Sequence, residues 1–275
     1  LNKFLYNFLR SKNFVDYILK FQTGSAQKNV GPTHIKQLQI PIPSLEVQNQ
    51  IVDELEIYQK IIDGCKQVIN SYETKIEIEN NWKTYQLKDL ISLLTDYHAN
   101  GSYQILKKNV SLLDKNDFAL MVRTTNLENN DFEKNCKYID EKSYKFLNKS
   151  KVYKDDIIIN KIGSAGSVYL MPNLNRPVSL AMNQFLIRTN DKVYAKFLFY
   201  QLKNIESKIK KMAHGAVTKT ITKEEIKSIK VKIPDKNTQK KFISEIDFEK
   251  ELINTNSKII DLYQNKIEKK IKSIW

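Results

Sequence analysis

"GPTHIKQLQIPIPSLEVQNQI", Gly31–Ile51, passes from an alternating apolar run into a helix start at Pro43. "TKEEIKSIKVKIPDKNTQKKF", Thr222–Phe242, has the same layout 191 residues later. In both, alternation predicts a strand, proline ends it, and Ser44 or Asp235 offers an oxygen to the first turn of a helix. The offset of 191 holds for about fifty residues without a gap, pairing Gly24 with Gly215, Ile35 with Ile226, Pro43 with Pro234, Gln48 with Gln239 and Tyr72 with Tyr263. Upstream, "KFLYNFLRS" at Lys3 matches "KFLFYQLKN" at Lys196 after a further shift of two. The chain thus contains an internal repeat: an aromatic-rich helix, a Gly-containing turn, a short helix, a strand ending in Pro, and a long helix.

The long helices carry heptad seams. In the first copy Ile51, Leu55, Tyr58, Ile62, Cys65, Ile69, Tyr72 and Ile76 step by alternating four and three residues. In the second, Phe242, Ile246, Ile253, Ile260, Tyr263 and Ile267 occupy the same positions, interrupted by Glu249 and Asn256. Either those two polar residues select the pairing, or the seam shifts locally to Leu252 and Ile259. Two such helices are natural partners for one another. Between them, short β-rich runs such as "FALMVRTTNL", "DDIIINKIG", "SVYLMP" and "NQFLIRTN" alternate with turn residues, which predicts a mixed α+β globule with its own core. The expected divisions are a remnant of a first globule over 1–43, a first spacer helix over 44–80, a complete globule over 81–234 and a second spacer helix over 235–275.

With 45 Lys+Arg against 31 Asp+Glu in 275 residues, the net charge of +14 favours a polyanionic partner. No apolar run reaches the roughly 18 residues of a membrane span and nothing resembles a secretory signal, so double-stranded DNA is expected over a membrane, and the cytoplasm is the expected compartment. From Lys203 to Lys241 there are twelve lysines and four acids, more than helix solvation requires. Cys65 and Cys136 lie in unrelated patterns and read as reduced. His34, His98 and His214 lack metal-ligand spacing. No Gly-rich phosphate loop, dinucleotide fingerprint or amino-methyltransferase motif occurs, so neither cofactor nor metal is expected.

Three stretches offer recognition chemistry. "MVRTTNL" presents Arg123, Thr125 and Asn126, residue types that read base edges, although an ordinary strand edge explains them equally well. "NKIGSAGSVYL" places Lys161 and Ser164 in a Gly- and Ser-rich turn that is either a flexible hairpin or a loop reaching a phosphate. Lys107, Lys108 and Lys219 are candidate phosphate contacts. Asp155, Asp156 and Lys161 could be forced into a Mg-dependent nuclease cluster, but a strand-entry turn fits their spacing better. A coiled-coil scaffold with incidental charge is the third alternative.

These features resemble the specificity subunit of type I restriction-modification systems. "WKTYQLKDL" at Trp82, "MVRTTNL", "YKDDIIINKIGSAGS", "MNQFLIRTN" and the twice-used block ending "IPIPSLEVQNQI" or "VKIPDKNTQKKF" carry the resemblance. It implies an α+β target-recognition domain flanked by two long helices in an antiparallel coiled coil, with no catalytic residues. It also implies docking to adenine methyltransferase subunits and, through them, to restriction subunits; a chain with one recognition domain would pair with a second copy of itself. The seam from Ile51 to Ile76 is about 39 Å long as a helix, close to the roughly 34 Å of one turn of B-DNA.

Overall fold

The computed structural model describes residues 2–21, 29–74 and 78–274. The chain divides into two compact units, Leu1–Glu73 with Asp247–Trp275, and Thr74–Ile246.

The first unit is helical. Helices Asn2–Leu9, Lys12–Lys20 and Pro32–Lys36 precede the first long helix, Leu45–Ser71, and the unit's remaining element is the later part of the second long helix, Lys236–Ile274. Ser44 caps the first long helix, its hydroxyl accepting from the Val47 N–H at 3.4 Å. Phe4, Ile51, Val52, Leu55 and Ile62 pack with Ile267 and Ile271, and Tyr58, Ile260, Tyr263 and Ile274 close the cluster. Each fully buried side chain of this kind contributes about 1.5–3 kcal/mol. The helices run antiparallel, since Glu54 pairs with Lys270 while Tyr58 meets Tyr263 at 5.4 Å between ring centroids.

The expected seam is only partly formed. The first long helix stops at Ser71, whose hydroxyl bonds back to the Val68 carbonyl, and Tyr72 is its C-cap. Ile69 and Ile253 are half-buried and stand outside the packed cluster, and Ile76 lies outside the described residues. Phe242 and Ile246 belong to the other unit's core: Phe242 sits edge-on to Trp82 at 5.5 Å and 6.3 Å from Phe197. Aromatic partners brought in by the tertiary fold outcompete the heptad there.

Among the described residues the second unit holds ten strands: β1 Lys83–Gln86, β2 Ile91–Asp96, β3 Ala119–Val122, β4 Lys137–Ile139, β5 Lys151–Val152, β6 Ile157–Asn160, β7 Val168–Leu170, β8 Val178–Leu180, β9 Gln184–Thr189 and β10 Lys230–Ile233. They form sheets ordered β2-β9-β6-β7 and β4-β3-β8-β5, and a ribbon of β1 with β10. Three consecutive isoleucines make β6 a stiff, strand-favouring run with apolar side chains on both faces. Ile157 and Ile159, with Phe185 and Ile187, face a core of Phe197, Leu198, Leu202 and Ile209. Ile158 and Leu186 face Leu120, Val122 and Leu180 of the second sheet. Period-two alternation therefore buries this strand pair on both sides.

Two expectations are corrected. "RTTNL" does not extend its strand: β3 ends at Val122 and Thr124–Glu128 is a short helix, because the Asn126 side chain accepts from the Arg123 N–H at 3.1 Å and turns the backbone. The strand expected before Pro43 is absent among the described residues, where 38–44 has no ladder partner. Its counterpart β10 pairs antiparallel with β1, whereas no strand among the described residues pairs with 38–44.

Candidate nucleic-acid interface

Loops from both sheets converge at one end of the second unit. Antiparallel pairing sets the end of β2 (Asp96) beside the start of β9 (Phe185), and the end of β6 (Asn160) beside Gln184. β3 and β8 run parallel and finish together at Val122 and Leu180, where the Ala181 N–H donates to the Val122 carbonyl at 3.0 Å. Gln184, fully buried, stitches the sheets: with its side-chain amide turned so that the nitrogen faces Val122, the orientation its neighbours require, it donates to the Val122 carbonyl (3.0 Å) and accepts from the Thr124 N–H (3.2 Å).

The loop after β6 is held by its backbone. Gly166 N–H donates to the Asn160 carbonyl (2.8 Å), Lys161 N–H to the Asn183 carbonyl (2.8 Å), and Ser167 N–H to the Ser164 carbonyl (3.0 Å). Gly166 has φ +86°, and a Cβ there would lie 2.9 Å from the backbone of Lys210, so the loop sits against the helix Glu206–Met212 where only glycine fits. Glu206 fastens the same junction, accepting from the Val168 N–H at 3.1 Å and pairing with Lys203 and Lys210. Burial raises its carboxyl, but those lysines and the Val168 N–H outweigh it and hold the group below the usual carboxylate range.

Beside this loop stands a hairpin. His214 and Thr220 exchange backbone bonds of 2.9 and 2.8 Å, Thr220 bridges Ile162, and Ile221 N–H donates to the Lys161 carbonyl at 3.2 Å. Gly215, at φ +125°, closes the hairpin so tightly that a Cβ would meet the Thr218 carbonyl oxygen at 2.2 Å. The tip exposes Val217 (99%) next to exposed Lys219.

Under the loops, buried Asp96 gathers two cations: Lys223 Nζ lies 3.2 Å and Lys161 Nζ 3.6 Å from its oxygens, and the Asp96 carboxylate also accepts from the Ala99 N–H at 3.1 Å. Two lysines on one carboxylate leave a net positive charge at the loop bases. Lys161 also lies over the Phe185 ring at 5.6 Å.

The sequence-predicted residues divide accordingly. Lys161, Ser164 and Lys219 share this end, with the Ser164 hydroxyl donating to the Glu128 carboxylate. Arg123 and Thr125 line a cavity of about 250 Å³ together with Tyr97 and Met182, and the Arg123 guanidinium donates to the Asn135 carbonyl. Asn126 is corrected as a base reader: it is 3% exposed, and its amide is spent on the Arg123 N–H, the Asp131 carbonyl and the Cys136 sulfur. Lys107 and Lys108 are exposed on the helix Tyr103–Asn109. Asp156 is buried and held by Arg188 at 2.8 and 2.7 Å and by the Tyr153 N–H at 2.8 Å, so it is a strand-entry residue, not part of a metal cluster. Among the described residues no three His, Cys, Asp or Glu side chains gather as metal ligands, and no helix is long and apolar enough to cross a membrane. Both cysteines are free.

Sequence reasoning missed Asp96, Asn160, Gln184 and Lys223. "MNQF" and "IIINK" put polar residues at strand ends, a faint signal; Asp96 and Lys223 are 127 residues apart and meet only through the fold.

A family model described as the type I restriction modification DNA specificity domain matches residues 1–73 and 79–268. A Methanocaldococcus jannaschii protein assigned as a type I restriction enzyme specificity subunit is 27% identical over 259 residues, covering 86% of this chain and 58% of its own length. The chain thus spans under two thirds of that relative. The fold is similar to the HsdS subunit from Thermoanaerobacter tengcongensis (TM-score 0.52, 13% identity, 99% of this chain and 70% of that one). It is likewise similar to the type I restriction-modification S subunit from M. genitalium (TM-score 0.54, 16% identity, 99% and 72%). Repeat, fold and family model agree, and the chain belongs to the type I restriction-modification DNA specificity family.

Proposed function

We propose that the chain is the non-catalytic, sequence-reading component of a type I restriction-modification complex, working in the cytoplasm. In this reading residues 81–234 are a target-recognition domain that reads one half of a bipartite duplex target. Residues 1–43 are the closing part of another such domain, and the spacer segments 44–80 and 235–275, built on the long helices Leu45–Ser71 and Lys236–Ile274, space the readers and dock adenine methyltransferase subunits, through which restriction subunits join. A second copy of the chain is a further candidate partner.

The observation that carries this is the loop cluster at one end of both sheets. Its backbone is pinned, its base holds two lysines on one carboxylate, and Lys219 and a hydroxyl-bearing loop stand out from it. Rigid loops with cationic flanks suit phosphate positioning, and the Arg123–Thr125 cavity suits contact with base edges. Lys161 and Lys219 take phosphate roles, with Lys107 and Lys108 as outlying contacts, while Arg123, Thr125 and Ser164 take reading roles.

The test is DNA affinity of the chain reconstituted with its methyltransferase, measured against salt. Each phosphate contact contributes about −0.9 to the slope of log Kobs against log salt, so Lys219→Ala should flatten it by about one contact. Salt-independent binding, or none, refutes the proposal.

A further inference from the structure

The two carboxylates that gather lysines in the loop cluster hold them differently. Glu206 grips Lys203 and Lys210 at 2.5 Å each and, with the Val168 N–H, closes a structural junction. Asp96 holds its two more loosely, Lys223 at 3.2 Å and Lys161 at 3.6 Å, although its own side chain is only 10% exposed. The lysines keep access to solvent, their side chains being 28% exposed at Lys161 and 36% at Lys223. A buried carboxylate facing two half-open ammoniums restrains their charge without enclosing it.

The backbone fixes all three partners. Antiparallel pairing sets Asp96 and Ile159 on either side of Phe185, so the Lys161 side chain, two residues beyond Ile159, lies over the Phe185 ring on its way to Asp96. Lys223 opens the helix Lys223–Ser228. That start is locked by reciprocal bonds, the Thr222 hydroxyl accepting from the Glu225 N–H at 3.2 Å and the Glu225 carboxylate from the Thr222 N–H at 2.8 Å. The Asp96 carboxylate is itself anchored by the Ala99 N–H at 3.1 Å. The position of one carboxylate therefore sets where both ammoniums stand, whereas Lys219 is exposed at the hairpin tip.

Unrestrained lysines work against a sequence reader. Each is a point charge on a flexible stem that finds phosphate on any duplex. Phosphate carries no sequence information, so every free lysine strengthens binding to wrong sites as much as to the right one. Discrimination is a ratio of affinities, and it improves when the indiscriminate part is held down.

We propose that Asp96 is a specificity-determining positioning residue. By tethering Lys161 and Lys223 it keeps them from gripping duplex of arbitrary sequence and reserves them for phosphates that fall at their fixed positions. The inference rests on the DNA-reading role proposed above and adds to it a restraint on non-specific binding.

The test is binding of a labelled duplex of scrambled sequence by the chain reconstituted with its methyltransferase, read by anisotropy across a salt series, with circular dichroism to establish that each variant is folded. Asp96→Asn keeps an acceptor for the Ala99 N–H and frees both ammoniums. At about −0.9 of slope per phosphate contact, the slope of log Kobs against log salt steepens by up to about 1.8, and affinity for this arbitrary duplex at physiological salt rises by up to about thirtyfold. Glu224→Gln removes the same charge from the neighbouring surface pair with Lys227 and leaves the slope unchanged. The triple variant D96N/K161M/K223M returns the slope to that of the parent.

A D96N slope equal to that of a salt-dependent parent overturns the restraint and leaves the reading role standing; salt-independent binding by the parent overturns both. A Glu224→Gln variant that steepens the slope equally also overturns the restraint, since net charge alone is then the cause. If D96N does not fold, the triple variant decides: a slope equal to the parent's supports the tether. A slope flatter by about 1.8 refutes it, because the lysines were then already gripping arbitrary duplex.

Discussion

The substitution Arg188→Met tests the structural role of the Asp156–Arg188 ion pair at the entry to β6 most sharply. Asp156 is 2% exposed and takes two charge-assisted bonds from Arg188, of 2.8 and 2.7 Å, which raise the guanidinium's affinity for its proton. The thioether side chain would keep much of the stem's packing over Tyr153 but leave the carboxylate buried with only the Tyr153 N–H. Removing one partner of a buried pair costs about 3–5 kcal/mol. For a unit of this size that lowers the Tm by roughly 6–20 °C. The assay is chemical and thermal unfolding followed by circular dichroism. The double variant D156L/R188M, with no stranded charge, should be less destabilised than R188M alone, a non-additivity expected of contacting residues. A loss below about 1 kcal/mol for R188M would refute the structural assignment of Asp156.

Three further outcomes follow from the loop cluster. Gly166→Ala meets both an unfavourable φ and the Lys210 backbone, so it should cost about 2–4 kcal/mol and blunt DNA affinity, read by unfolding and by anisotropy with labelled duplex. Asn126→Leu should lower stability by about 1–3 kcal/mol while leaving the methylated sequence unchanged, because its amide faces the interior. The Glu206 carboxyl is held below its unfolded value, so its contribution is present above about pH 4.3 and is lost as pH falls through the lower folded value; Glu206→Gln should flatten that part of the pH–stability curve.

The repeat, the two long helices and the β-rich runs were legible because each rests on short-range periodicity and on punctuation by proline and caps. Asp235 caps the second long helix through the Asn237 and Thr238 N–H groups at 2.8 and 3.1 Å, as its position after Pro234 suggested. What misled was long-range competition. Phe242 and Ile246 fit the heptad, yet Trp82 and Phe197 claim them. The first-copy strand had the alternation but no partner, and a lone strand leaves its backbone bonds unmade. In the site, Lys161, Ser164 and Lys219 could be picked from composition, whereas the carboxylate that organises the lysines carries no local signal; Asp96 stands in an ordinary "LLTDYHAN".

The central claim is that this chain supplies sequence specificity to a DNA methyltransferase. Methylome sequencing of cells that express the methyltransferase subunit with and without the chain tests it directly. The account predicts a new methylated-adenine motif that appears only with the chain and is altered by substitutions at Arg123 or Thr125. Methylation at the same sites with and without the chain, or no methylation in either case, would contradict it.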